Sequence, residues 1–456
     1  MIFETLKSAG IAHKSYFIGS KGSAAVIDPR RDCDVYLEIA ERNNLKIEYI
    51  FETHRNEDYT IGSIELREIV NAEVYHGSQL NFTYGNPVYE GNKFQLGSCE
   101  LEIIDTPGHT DESISLTVKD TDVSKDVYLI FTGDTLFAGE TGRIDLYGES
   151  EKKRLAEDLY NSIFHKILPL GDHVILCPAH GAGSVCGADI REQELTTIGY
   201  EKKNNQLLSY SHDEFVESKI NEQLYYPPYF DKMIDINLKG PDLICRLPEL
   251  KVLKINEVKK LSNNGAQIID VRNPTSYGGA HMPQILSIWK DGLPEYAGWM
   301  LNYQDPIIII DEDGRSMDEV RRFLVRLGFD NIYGYLGVGF PNWYLHAEPI
   351  EKLELWSVQK LKENQDDESL FLLDVRKIID WKTGYIKNAH HIYLGYLEDN
   401  LNNVPFNKKI VVYCDSGYKS TIAGSILLRN GYEDVVTVLG SMNAWRKAGY
   451  PEVKPQ

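Results

Sequence analysis

The chain has 456 residues, 42% hydrophobic and 25% charged, a composition that predicts a soluble globular protein of roughly two to three domains. Its 48 Lys+Arg against 68 Asp+Glu leave a formal charge of −20. No basic tract breaks that balance, which excludes a nucleic-acid or anionic-membrane surface, since both need clustered positive charge.

The opening stretch "MIFETLKSAGIAHKSYFIG" has no charged n-region and no apolar core, and no apolar run approaches the ~20 residues of a membrane span. The six cysteines (33, 99, 177, 186, 245 and 414) are scattered, with no C-x-x-C pair. A disulfide framework and a cysteine-rich zinc site are therefore not expected, and a reducing, cytoplasmic location is.

In chain order, the first half reads as short strands: "SAAVIDP", "IEYIFET", "AEVYHG", "LEIIDTPGH" and "VYLIFTGDTLF". Helical stretches such as "DVYLEIAERNN" and "SEKKRLAEDLYNSIFHKI" lie between them. Several strands run straight into His or Asp, which puts those side chains at one rim of a sheet. An α/β sandwich up to about residue 210 is predicted, closed by the Pro- and Tyr-bearing connector "NEQLYYPPYFDKMIDINLKGPD".

The second half repeats itself at a period a little over 100 residues, the mark of a duplicated domain. "AQIIDVRNPTSYGGAHM" matches "LFLLDVRKIIDWKTGYIKNAHHI", "DPIIIIDEDGRS" matches "NKKIVVYCDSGYKS", and "LVRLGFDNIYGYLGVGFPNW" matches "LLRNGYEDVVTVLGSMNAW". Each copy alternates strand and helix, which predicts a small α/β domain with a parallel sheet.

Four segments of the first half carry candidate metal ligands, each after an apolar run: "THRNEDY", "TPGHTDES", "FTGDTLF" and "CPAHG". Singly each is weak, because a lone His or a Gly-Asp is ordinarily structural. In this order they resemble the metallo-β-lactamase superfamily signature T-H-x-H-x-D-H with its later His and Asp positions. His54, Asp58, His109, Asp134 and His180 match; Asn56 and Tyr59 stand where that signature has two further histidines. The first metal would keep His54, His109 and Asp134. The second would keep Asp58, His180 and a shared Asp134, with Tyr59 a poor substitute for imidazole. Two histidines and one carboxylate suit a single Fe(II) with open positions, and the persulfide dioxygenases of the superfamily resemble this arrangement. The resemblance implies one Fe(II) per chain, with zinc the alternative, and a reaction that turns a thiol persulfide, O₂ and water into sulfite and thiol. Arg143, in "TGRIDLYG", resembles a Gly-Arg segment of that branch and is a candidate for holding a substrate carboxylate.

"KKIVVYCDSGYKS" puts Cys414 at a strand end, ahead of a loop (Asp415, Ser416, Gly417, Tyr418, Lys419 and Ser420) and a helix expected from about Thr421. Backbone N–H groups and a helix N-terminus around a sulfur favour its thiolate. The loop resembles the rhodanese active loop C-x-x-G-x-R-S, with Lys419 where arginine is usual. The other copy has Asp311 at the aligned position, a carboxylate that cannot carry a persulfide sulfur, so that copy is expected to be inactive. His76, His165, His173, His212 and His281, and the five cysteines other than Cys414, are expected to be structural or surface residues.

The fold expectation is thus an αββα metallo-β-lactamase sandwich over 1–240, followed by rhodanese-like α/β domains with parallel sheets over 250–350 and 352–456. The function expectation is a persulfide dioxygenase coupled to a sulfurtransferase working through a Cys414 persulfide, with thiosulfate or sulfite as further small partners. Relatives suggest a homodimer. The rivals are a zinc thioester hydrolase of glyoxalase II type and a sulfur carrier whose N-terminal domain is non-catalytic.

Overall fold

The computed structural model describes residues 1–8, 10–187 and 190–455. It divides into two compact units, Met1–Leu247 with Val325–Gly328, and Pro248–Leu324 with Phe329–Gln456. Among the described residues, no helix is long and apolar enough to cross a membrane.

The first unit holds two six-stranded sheets. One runs in order through β1 (Ile2–Ser8), β2 (His13–Ser20), β3 (Ser23–Ile27), β4 (Lys46–Phe51), β5 (Glu73–Gly77) and β6 (Asn86–Val88). The other is built likewise of β7 (Lys93–Leu96), β8 (Cys99–Asp105), β9 (Ile114–Asp120), β10 (Leu129–Gly133), β11 (Ile175–Pro178) and β12 (Thr196–Thr197). Strands alternate their side chains between faces, so each sheet has an inner and an outer set. Ile18, Ala25, Ile27 and Phe51 of the first sheet pack on Leu101, Ile103, Leu116 and Phe131 of the second, making the central core. Helix Asp34–Arg42 covers the outer face of the first sheet through Tyr36 and Ile39, and helix Lys152–Asn161 covers the second through Leu155 and Leu159. The layers are therefore αββα. The stretch read from sequence as a connector contains a helix, Phe230–Lys239, because Phe230, Met233 and Asn237 recur at helical spacing and are buried together. The prolines at 227 and 228 precede it, where they do not interrupt its hydrogen bonds.

The second unit contains two five-stranded sheets whose paired strands are all parallel. The first is β13 (Lys251–Leu253), β14 (Gln267–Asp270), β15 (Leu286–Ser287), β16 (Ile307–Ile310) and β17 (Ile332–Leu336), in spatial order β13-β17-β16-β14-β15. The second is β18 (Glu354–Trp356), β19 (Leu370–Asp374), β20 (His390–His391), β21 (Lys409–Tyr413) and β22 (Val435–Val438), in the matching order β18-β22-β21-β19-β20. The duplication reaches individual bonds. Arg272 clamps Asp270 at 2.6 Å and the Ala280 carbonyl at 2.8 Å; Arg376 clamps Asp374 at 2.6 Å and the Gly384 carbonyl at 2.8 Å.

Asp374 and Arg376 are both fully buried. Removing one partner of such a pair strands the other charge in a low-dielectric interior. Arg376→Met is expected to cost about 3–5 kcal/mol, read as a lower denaturant midpoint for unfolding of the second unit.

Candidate metal centre and thiol loop

Four strands of the first unit end at one rim and hand the chain to the candidate ligands. β4 leads to His54, β8 to His109, β10 to Asp134 and β11 to His180. All four side chains are buried. Gly133, which ends β10, has φ +53°, and a Cβ there would lie 2.6 Å from Thr53 Oγ1. Only glycine lets the Asp134 strand end approach the His54 loop so closely.

Each imidazole is oriented by its Nδ1. His109 Nδ1–H donates to the Arg143 carbonyl at 2.9 Å. His54 Nδ1 lies 3.0 Å from Thr53 Oγ1, whose hydroxyl donates to Asp28 Oδ2 at 2.8 Å, so the ring N–H is the donor in that bond. Both Nε2 atoms then face inward, 3.6 Å and 3.7 Å from Asp134 Oδ2. His180 turns its Nδ1 to Asp134 at 2.7 Å and its Nε2 to Asp58 Oδ2 at 3.0 Å. Nε2 of His54, Oδ1 of Asp58 and Oε2 of Glu57 are buried without a hydrogen bond, and Nε2 of His109 and of His180 meet only carboxylate oxygens, nearest those of Glu57 and Asp58. Inward-facing, unsatisfied nitrogens and carboxylate oxygens at these spacings fit a metal ion, which would take the place of the missing hydrogen bonds.

The electrostatics of the ion-free cluster divide its members. Burial pulls the His54 imidazole down to about 4. Burial also opposes charge on His109, but the carboxylates of Glu57 and Asp134 outweigh it and hold that ring up at about 9. His180 is raised for the same reason, between Asp134 and Asp58. Desolvation pushes Asp28 up to about 7 despite its bonds to Thr53.

The positions where the signature would have histidines are turned to other uses. Asn56 gives its amide N–H to the His54 carbonyl at 3.3 Å. Tyr59 packs its ring against His13, tilted by 35° with centroids 3.9 Å apart. Asn237, from the helix not foreseen, donates to the carbonyls of Asn56 and Tyr59 at 2.7 Å and fixes the loop.

Arg143 is not presented to a substrate. It is fully buried, grips Asp145 with Nε and Nη2, and donates to the carbonyls of Val185 and Tyr225. Its own carbonyl holds His109, so Arg143 positions the centre from behind. The reason is the neighbouring Asp145, which satisfies the guanidinium fork that a substrate carboxylate would need.

Two donors went unnoticed in the sequence. Glu57 Oε1 lies 3.2 Å from His109 Nε2. Cys186, expected to pack or sit exposed, is fully buried beside the centre, 3.4 Å from the same Glu57 oxygen. Glu57 sits at an unspecified position of the signature. A lone cysteine six residues after His180 offers no spacing to read. His76, His173 and His281 stay outside the centre and bond to backbone carbonyls.

In the second unit, Cys414 follows β21 and is fully buried. The Gly417 N–H points at its Sγ from 3.1 Å, and the Cys414 N–H donates to Ser441 Oγ at 3.1 Å. Helix Tyr418–Arg429 starts three residues earlier than expected, because Gly417, at φ +101°, turns the chain directly into it. Lys419 pairs with Asp415 at 2.5 Å, so its charge is shared within the loop. Tyr418 meets Trp289 edge-on, with centroids 5.0 Å apart. At the aligned end of β16, the Asp311 carboxylate accepts from Gly314 N–H at 2.7 Å and Ser316 Oγ at 3.0 Å. That loop is closed on its own carboxylate.

Comparison with known proteins agrees with this architecture. The metallo-beta-lactamase superfamily matches residues 10–180, and the rhodanese-like domain matches 254–346 and 357–448. A crystal structure of a metallo-beta-lactamase from Staphylococcus aureus subsp. aureus COL superposes with TM-score 0.66 at 28% identity, covering 74% of this chain and 98% of that one. Mitochondrial persulfide dioxygenase ETHE1 of Mus musculus is 27% identical over 237 residues, 49% of this chain and 83% of that protein. A hydroxyacylglutathione hydrolase of Dictyostelium discoideum is 25% identical over 237 residues, 51% of this chain and 82% of that protein.

Proposed function

From a chain that joins a metallo-β-lactamase superfamily domain to two rhodanese-like domains, we propose a persulfide dioxygenase coupled to a sulfurtransferase. The observation that carries the reading is the convergence of His54 Nε2 and His109 Nε2 on one oxygen of Asp134, while Tyr59 packs against His13 instead. His54, His109 and Asp134 would hold one Fe(II), whose role when bound is to activate O₂ beside the persulfide. The likeness to a persulfide dioxygenase supports this assignment. The likeness to a hydroxyacylglutathione hydrolase supports the rival zinc hydrolase, but Asn56 and Tyr59 take two of the imidazole positions a two-metal hydrolase uses to hold its bridging hydroxide.

The overall conversion balances as RSSH + O₂ + H₂O giving RSH, sulfite and two protons. In this chain Arg143 and the Asp28–Thr53 pair keep His109 and His54 in the tautomer with Nε2 free. The buried walls around the centre keep bulk water away from the reactive sulfur.

At the second site the Cys414 thiolate attacks the outer sulfur of a persulfide. A new S–S bond forms at Cys414, the old one breaks, and the thiol leaves with a proton. The Gly417 N–H meets the sulfur, and Ser441 Oγ holds the Cys414 backbone behind it. Joining the two activities in one chain raises the effective concentration of a reactive sulfur carrier. The resulting role is disposal of sulfide-derived persulfides.

Oxygen-electrode assays with a panel of thiol persulfides test the reading, alongside metal analysis. Persulfide-dependent O₂ uptake with about one iron per chain is expected. Zinc-dependent cleavage of acyl-glutathione thioesters would replace it with the hydrolase. Metal-free transfer of sulfur through Cys414 alone would leave only the carrier. Asp28→Asn, which loosens the Thr53–His54 relay, is expected to weaken iron affinity about 10–100-fold, measured by chelator competition.

A further inference from the structure

We infer that the Arg55 guanidinium anchors a carboxylate on the thiol portion of the persulfide, a specificity role that rests on the dioxygenase reading above. Arg55 directly follows the proposed ligand His54 and is only 7% exposed. Its Nε is nevertheless buried without a hydrogen bond, and among the described residues its guanidinium pairs with no carboxylate. An arginine does not shed its proton, so a buried one needs an anion to face. The chain supplies none here, and a ligand can.

Three other buried arginines show what this side chain does when its anion belongs to the chain. Arg143 grips Asp145 with Nε at 2.6 Å and Nη2 at 2.7 Å. Arg272 grips Asp270 with the same two nitrogens at 2.9 Å and 2.6 Å, and Arg376 grips Asp374 at 3.0 Å and 2.6 Å. In each case a carboxylate lies along the Nε–Nη2 edge, where two parallel N–H bonds match its two oxygens. Arg55 keeps that edge open at Nε.

The surroundings hold the fork in place without consuming it. The Arg55 backbone N–H donates to Glu112 Oε1 at 2.8 Å, and the Tyr147 hydroxyl donates to Glu112 Oε2 at 3.5 Å. The guanidinium carbon lies 5.7 Å from the centroid of that same Tyr147 ring. One carboxylate thus ties together the Arg55 backbone and the ring on which its side chain rests. Contact with a ring uses the face of a guanidinium and leaves its in-plane N–H groups for an anion. Two other arginines of this unit are already spent, Arg143 on Asp145 and two carbonyls, and Arg154 on Asp111, Glu151 and Asp158. The carboxylate-holding role that the sequence offered to Arg143 therefore falls to Arg55. A carboxylate held there fixes one end of the substrate beside a metal ligand, which lowers the entropy cost of placing its sulfur.

The test compares acids with their esters on the full-length chain. S-methylglutathione and S-methylcysteine, which carry carboxylates but no reactive sulfur, are titrated calorimetrically beside their methyl esters. The better-bound acid is expected to bind the wild-type chain at least about tenfold more tightly than its ester, the scale of a hydrogen-bonded charge pair. Arg55→Met should abolish that preference, and Arg55→Lys, which keeps the charge and loses the fork, should restore part of it. In turnover, the ratio of kcat/KM for glutathione persulfide to that for 2-mercaptoethanol persulfide, which has no carboxylate, should fall at least about tenfold in Arg55→Met, through KM. Acid and ester binding alike to the wild-type chain, neither binding at all, or an acid preference that survives in Arg55→Met overturns the inference. Wild-type chain that consumes no oxygen with either persulfide would sink the dioxygenase reading instead, and the calorimetric comparison would still decide the role of Arg55.

Discussion

Replacing His109 by alanine is expected to empty the proposed iron site and abolish persulfide-dependent oxygen uptake. The ring is fully buried, and its Nε2 faces Asp134 Oδ2 at 3.7 Å. Without it, His54 and Asp134 are left as two of the three proposed donors, and a cavity opens where the imidazole stood. Loss of an outer partner to a metal ligand costs about 10–100-fold in affinity or activity. Loss of a ligand itself should exceed that, bringing iron from about one per chain to near zero and oxygen uptake to background. The thiol loop lies in the other compact unit, so sulfur loading at Cys414 should persist in the same variant and report that the second unit is folded, while far-ultraviolet circular dichroism reports on the first. Iron content unchanged in His109→Ala would sink the ligand assignment.

Cys414→Ser is expected to reduce sulfur transfer by on the order of a thousandfold or more, the scale on which enzymes lose rate when a nucleophile is removed. A hydroxyl fits the space beside Gly417 but is a far weaker nucleophile than a thiolate and forms no persulfide. The direct measurement is intact mass after treatment with a low-molecular-weight persulfide. The wild-type 352–456 segment should gain one sulfur atom at Cys414, and the variant none. Oxygen uptake with added persulfide should remain in Cys414→Ser. If transfer survived the substitution, the loop would be a scaffold and another thiol would have to carry the sulfur.

The two centres were legible in the sequence to different degrees. The thiol loop is local, since strand, cysteine, glycine and helix follow within a dozen residues, and the Gly417 amide that meets the sulfur comes three residues after it. Even there, the sequence shows the Lys419 charge but not its pairing with Asp415 four residues earlier. The metal centre is assembled from four strand ends spread over more than a hundred residues. Its histidines were picked out by their resemblance to the T-H-x-H-x-D-H signature and its later His and Asp positions, each after an apolar run. Arg143 was misassigned because sequence shows a guanidinium but not the Asp145 and carbonyl partners that occupy its donors.

What the sequence by itself determined is whatever depends on periodicity and repetition along the chain: the strands and helices of an α/β sandwich and the duplicated parallel-sheet domains, the αββα order being what the family resemblance implied. These follow from alternating burial and from turn chemistry, which act over a few residues. Only the tertiary structure decided that Glu57 and Cys186 face the same buried pocket as His109 and His180, and that Asn237 pins the ligand loop. Those contacts depend on where unconnected strand ends finish in space, and no spacing along the chain encodes that.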